Sequence, residues 1–69
     1  MKAAADAMIR TTVDVTSDFR PERTIPSGTE GHVLETYDSP REGYAVELQM
    51  GDDDIEVVTL HPDQFEVVE

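Results

Sequence analysis

The sequence predicts an all-β domain in which five short antiparallel strands form a small barrel. Three observations lead to this prediction. Polar and apolar residues alternate with a period of two, turn residues bound the alternating segments, and 69 residues leave room for a single domain. A barrel is favoured over an open sheet because a lone sheet of this size could not protect its edges.

Five segments carry the strand pattern. They are residues 12–16, 32–37, 44–50, 55–60 and 65–68. Turn residues separate most of these strands, and a long ordered loop, residues 17–27, follows the first of them. Gly28 and Gly31 mark positions where a positive φ or a close backbone approach is expected. Residues 61–64 predict one 3₁₀ or helical turn before the last strand.

Residues 1–10 are alanine-rich and are expected to form a flexible or short helical lead, so that the barrel domain comprises residues 11–69. In that lead only Met8 and Ile9 offer apolar anchors. Because burial and chain entropy nearly balance in so short a chain, we expect marginal stability. The predicted core consists of Val13, Val15, Ile25, Val33, Tyr44, Val46, Leu48, Ile55, Val57, Leu60, Phe65 and Val67.

The charge of the chain limits its partners. Sixteen Asp and Glu residues against five Lys and Arg residues give a net charge of −11. Binding to nucleic-acid phosphates requires a lattice of Lys and Arg, so we expect no nucleic acid as a partner. Three interpretations of the acidity stay open: solubility, salt adaptation, and a surface that mimics nucleic acid or docks onto a basic protein. The carboxylates are scattered through every segment, which favours the first.

Several function classes are excluded by residue types that the chain lacks. Without Cys there are no disulfides, zinc thiolates or cysteine nucleophiles. No apolar run approaches the roughly 18 residues of a membrane span, and the start lacks a signal-peptide pattern, so we expect a cytoplasmic protein without membrane contact. No serine stands in a glycine-framed elbow and no phosphate-binding loop is present, which predicts no enzyme activity and no catalytic residue.

The densest charge cluster, Asp52 with Asp53 and Asp54, is interpreted first as a hairpin turn. A calcium loop spaces its ligands at alternate positions over about 12 residues and closes with a distant glutamate, a pattern that these aspartates do not follow. His32 and His61 are the only imidazoles. Two histidines with a carboxylate could form a metal site, and a histidine could act as a general base, but we interpret both as residues without such a role. We therefore predict neither a metal nor a cofactor.

One part of the chain resembles a known family. Residues 25–37, I-P-S-G-T-E-G-H-V-L-E-T-Y, and residues 43–48, G-Y-A-V-E-L, are similar to the bacterial family called domain of unknown function 4926. The ending at residues 57–65, V-V-T-L-H-P-D-Q-F, is similar too. The resemblance spans residues 12–68 and implies a five-stranded antiparallel SH3-like barrel with a 3₁₀ turn before the last strand. Looser similarity extends to KOW modules and to the barrel of nitrile hydratase β-type subunits. The resemblance to domain of unknown function 4926 implies no catalytic residue.

The predicted function is a small non-catalytic protein-interaction module, an accessory or neutralising partner of another protein. Peptide-binding SH3-like domains line a groove with aromatic side chains from the long early loop, where Phe19 lies, although Phe19 could instead plug the end of the barrel. The alternative function is a nucleic-acid mimic that occupies a basic groove on a DNA- or RNA-handling protein. We expect a monomer or a weak homo-oligomer. The candidate interaction residues are Phe19, Arg20, Arg23, Tyr37, Asp52, Asp53 and Asp54.

Overall fold

In the computed structural model, β-strands and one 3₁₀ turn make up the regular structure of residues 2–68, the part of the chain that the structure describes. The strands are β1 (Met8–Thr11), β2 (Val15–Thr16), β3 (Thr24–Ile25), β4 (Glu30–Tyr37), β5 (Gly43–Gln49), β6 (Ile55–Leu60) and β7 (Phe65–Val67), and the 3₁₀ turn is Pro62–Gln64. The predicted all-β class is confirmed. No helix within these residues is long and apolar enough to cross a membrane.

Five of the strands form one antiparallel sheet in the order β6-β5-β4-β1-β7. The other two, β2 and β3, pair with each other as a separate antiparallel hairpin. A five-stranded antiparallel sheet is therefore confirmed, although β1 takes the place of the predicted strand 12–16. Within residues 2–68 no backbone pairing joins β6 to β7, so these strands are the two edges of the sheet.

Side chains cover part of both edges. On β6, the backbone N–H of Thr59 donates to the Asp18 carboxylate at 3.1 Å. On β7, the carbonyl of Phe65 accepts a hydrogen bond from the Lys2 ammonium group, which also lies 4.7 Å from the centre of the Phe65 ring. An uncovered edge strand is a template for pairing with another chain, so these contacts reduce the risk of aggregation.

The N-terminal lead predicted for residues 1–10 is wrong in its main feature. Met8–Thr11 form β1, which lies between β4 and β7 in the sheet, and the Ile9 side chain is fully buried. Further upstream, Ala3 also packs into the core. Periodicity does not reveal β1 because its inward side chains are one isoleucine and one threonine. Met1 of the predicted lead and Glu69 of the predicted domain lie outside the described residues.

The first predicted strand, residues 12–16, is also corrected. The chain turns at residues 12–14, leaving Val13 exposed, and only Val15–Thr16 form a strand. The partner of that strand, β3, lies inside the predicted loop, and Val15 pairs with Ile25 across the hairpin. Strands of two residues are too short to show an alternation of polar and apolar residues. They can be recognised only by the backbone pairing between β2 and β3.

Most of the predicted core is buried, and the main error concerns the faces of β6. Ile55 and Val57 were expected inside, whereas the structure buries Glu56 and Val58 together with Leu60. Because side chains alternate along a strand, the wrong phase places both Ile55 and Val57 on the wrong face, whereas the predicted burial of Leu60 is confirmed. Val67 was also expected inside and is exposed on the edge strand β7.

The two glycines before β4 serve the two purposes predicted for them. Gly28 adopts φ +92°, a conformation that side-chain-bearing residues rarely take. Gly31 lies against the backbone of β5, where an added Cβ would overlap the carbonyl oxygen of Glu47 and lie 2.9 Å from the Cα of Leu48. Gly31 therefore allows β4 and β5 to approach closely.

Candidate functional site

The Phe19 loop, residues 17–23, forms the tip of the β2–β3 hairpin. Backbone groups close the loop on itself, because the N–H of Ser17 donates to the Arg23 carbonyl at 3.1 Å and the N–H of Arg23 donates to the Arg20 carbonyl at 2.8 Å. The N–H of Arg20 donates in turn to the hydroxyl oxygen of Ser17 at 3.1 Å. These bonds give the loop a defined shape although it contains little regular structure.

A buried carboxylate attaches the loop to β6. Glu56 is only 3% exposed, and it accepts a hydrogen bond of 2.7 Å from the Ser17 hydroxyl. The guanidinium groups of Arg20 and Arg23 pair with the same carboxylate, Arg23 at 3.0 Å. The hydrogen bond from Ser17 and the two positive charges hold the pKa of Glu56 below its ordinary value, against the opposing effect of burial. A carboxylate can therefore occupy an inward position of β6.

A second ion pair joins the loop to the turn between β5 and β6. Arg23 binds both carboxylate oxygens of Asp54, with one N–O distance of 3.0 Å. This pairing, mainly its hydrogen bonds, lowers the pKa of Asp54 and raises that of Arg23. Asp52 and Asp53 precede Asp54 in the turn and are exposed. The ion pair therefore places a strongly acidic turn next to the loop.

The Phe19 side chain points away from the protein. It is 79% exposed, whereas the other exposed large apolar side chains of residues 2–68 are between 37% and 44% exposed. The alternative in which Phe19 plugs the end of the barrel is therefore wrong. Asp18 and Glu22, in the same loop, are exposed as well. An exposed aromatic ring thus stands on a hydrogen-bonded loop that also carries exposed carboxylates.

Tyr37 lies apart from this surface. It is at the end of β4, separated from β6 by β5, and its hydroxyl donates to the Glu35 carboxylate at 3.3 Å. The negative charge of Glu35 raises the pKa of Tyr37. Of the candidate interaction residues, the loop and the turn bring together Phe19, Arg20, Arg23, Asp52, Asp53 and Asp54.

The residues that fix the loop were not predicted from the sequence. Ser17 and Glu56 are 39 positions apart, and no local motif connects them. One signal was available, because Glu56, Val58 and Leu60 share a period of two, which places a carboxylate on an otherwise apolar face of β6. A charge in such a position requires a partner, and the arginines of the preceding loop could have been proposed for that role.

A shallow open groove lies between the β4–β5 loop and the 3₁₀ turn. Its volume is about 440 Å³, and its lining residues are Arg41, Glu42, His61, Pro62 and Asp63. The carboxylate of Glu42 is engaged by the Tyr44 hydroxyl and by the backbone N–H of Lys2 at 2.8 Å. These hydrogen bonds lower the pKa of Glu42, and burial raises the pKa of Tyr44. Glu42 therefore connects the N-terminal segment to the sheet.

In the described part of the chain, no three His, Asp or Glu side chains come together in a way that could hold a metal ion. Comparison of the chain with protein-family models, with curated proteins and with solved structures finds no significant match. The Phe19 loop and the adjoining acidic turn are the candidate functional site on the strength of their own geometry.

Proposed function

We propose that this protein is an SH3-like barrel that works as a non-catalytic protein-interaction module. Several features support the barrel, which the resemblance to domain of unknown function 4926 implies. The strand order places β1 between β4 and β7, a hairpin loop follows β1, and a 3₁₀ turn precedes the last strand. The ion pairs of Glu56 also fold the hairpin onto the inner side of β6, which would help to close the sheet.

The observation that carries the interaction function is the exposure of Phe19 on a loop with a defined shape. Burial of an exposed aromatic side chain against a partner contributes favourable binding free energy. Aromatic residues are also enriched among the side chains that contribute most to the affinity of protein interfaces. A loop that is ordered before binding loses little conformational entropy when a partner arrives. Exposure of the ring and order of the loop together favour a docking role.

The geometry favours a protein-interaction module over a nucleic-acid mimic. A mimic needs unpaired carboxylates spaced along one face like phosphates. At this site Arg20 and Arg23 neutralise two of the carboxylates, Glu56 and Asp54, and the loop also exposes the apolar ring of Phe19. An exposed apolar group on the same loop as the acidic side chains is better suited to a protein partner.

Site-specific photocrosslinking in the native cells tests the proposed function. A benzophenone amino acid replaces Phe19 in one variant and Tyr37, an exposed aromatic residue on the sheet, in the control. We expect the residue-19 variant to crosslink to one defined protein and the residue-37 variant to give much less of that product. No discrete product from residue 19, or the same product in equal yield from both positions, would contradict the proposal.

A further inference from the structure

We infer that the Phe19 loop recognises a basic protein segment with an apolar centre: the ring of Phe19 contacts the apolar residue, and Lys or Arg side chains of the partner face the carboxylates of the loop and the adjacent turn. This inference rests on the proposed function, because it assumes that the loop is the docking element. It adds the chemistry of the partner, which the proposed function leaves open.

The carboxylates of the Phe19 loop and the adjacent turn that form no ion pair within residues 2–68 support this inference. Among residues 2–68, the ion pairs of the loop arginines use Glu56 and Asp54 only. Asp18 accepts a hydrogen bond from a neutral backbone N–H, so its charge is not compensated. The Phe19 loop and the adjacent turn thus carry four exposed carboxylates that form no ion pair within residues 2–68, and they are Asp18, Glu22, Asp52 and Asp53.

The charge of the whole chain selects the same class of partner. At −11 the protein repels a second copy of itself and repels acidic segments, and it attracts basic ones over a distance set by the salt concentration. Electrostatic attraction of this kind speeds association and suppresses partners of the wrong sign, while a buried aromatic contact supplies much of the affinity. A partner that is basic at its rim and apolar at its centre satisfies both requirements.

Selection from a random peptide library tests the inference with a defined probe. Twelve-residue peptides displayed on phage are selected on the immobilised full chain, and the enriched peptides are synthesised and titrated by calorimetry. We expect Lys or Arg on both sides of an apolar residue. Phe19→Ala should weaken binding about tenfold or more, whereas Tyr37→Ala, the matched aromatic control, should change it less than about twofold.

A pair of double variants tests the carboxylates separately from the net charge. Glu22→Gln with Asp53→Asn removes two charges from the Phe19 loop and the adjacent turn, and Glu35→Gln with Asp38→Asn removes two charges elsewhere. Long-range attraction is reduced equally in both, so a difference between them reports the local contacts. We expect the first pair to weaken binding of the selected peptides by about fivefold more than the second at low salt.

Each other outcome overturns the inference. Enriched peptides that are acidic or uncharged would show that the partner class is wrong. Basic peptides that bind the Phe19→Ala variant unchanged would show that charge alone attracts them. Self-association of the chain that buries Phe19, measured by sedimentation, would assign the surface to a second copy. If the crosslink from residue 19 forms in any of these cases, the interaction function stands and only the stated partner chemistry fails.

Discussion

Replacement of Ile9 by alanine tests whether β1 is an integral strand of the core. The side chain is fully buried, and the residue pairs with Gly31 on one side and with Val67 on the other. Truncation of a buried isoleucine costs about 2–5 kcal/mol, because apolar contacts are lost and a cavity remains. A core of this size rarely supplies more than about 3–5 kcal/mol in total. Ile9→Ala should therefore remove about 40% or more of the folding free energy.

Urea denaturation followed by circular dichroism measures this effect, with Met8→Ala as the matched control. Met8 is the preceding residue of β1, but its side chain lies on the other face and is 40% exposed, so its truncation should cost about 0.5 kcal/mol or less. With a slope near 1 kcal/mol per molar urea, Ile9→Ala should lower the midpoint by about 2 M or leave the chain unfolded without urea. Equal midpoints for the two variants would refute the assignment of β1 to the core.

Three further outcomes are expected. Gly31→Ala should prevent folding, as seen in the loss of dispersed amide resonances, because its Cβ would overlap the carbonyl oxygen of Glu47. The pKa of Glu56 is lowered in the folded state, chiefly by the Ser17 hydrogen bond, so its stabilising contribution is complete above the unfolded pKa of about 4.3 and is lost as the pH falls below that value. Glu56→Gln should therefore reduce the acid sensitivity of the thermal midpoint. That midpoint should also rise by several degrees between about 10 mM and 1 M NaCl as repulsion is screened, and Asp53→Asn should reproduce a small part of the gain at low salt.

Each of these three expectations has a result that would contradict it. A folded Gly31→Ala variant would show that β4 and β5 can separate without loss of the sheet. An unchanged pH profile for Glu56→Gln would show that the Ser17 and arginine contacts do not persist in solution. A midpoint that stays constant or falls with salt would show that the carboxylates are paired or far apart, which would favour an arranged docking face over a merely solvated surface.

The strands that could be predicted from the sequence are the longer ones and the short last strand, β7, which lies within one residue of its predicted bounds. β4, β5 and β6 lie within two residues of their predicted bounds, because each is at least six residues long and turn residues flank it. β1 has four residues, and β2 and β3 have two each. A period of two cannot be recognised over so few positions, so these strands depend on the partners with which they pair.

The sequence predicted which residues belong to the candidate site, but it did not predict how they are placed relative to one another. Phe19 and the aspartates of the β5–β6 turn could be selected because exposed aromatic and charged side chains commonly make contacts. The grouping of Tyr37 with them failed, since β5 lies between its strand and β6. Arg20 and Arg23 were expected to face a partner, whereas the structure also uses them to hold the loop against Glu56 and Asp54.

The sequence by itself determined the all-β class, the antiparallel strands from β4 to β6, and the large negative charge, because alternation, turn residues and composition are properties of adjacent positions or of simple counts. The tertiary structure decided which face of β6 is buried, that β1 is a core strand, and that Phe19 is exposed on an ordered loop. Each of these depends on groups that are distant in sequence, as Ser17 and Glu56 are at 39 positions. Whether a carboxylate can be buried depends on the charges that folding places around it.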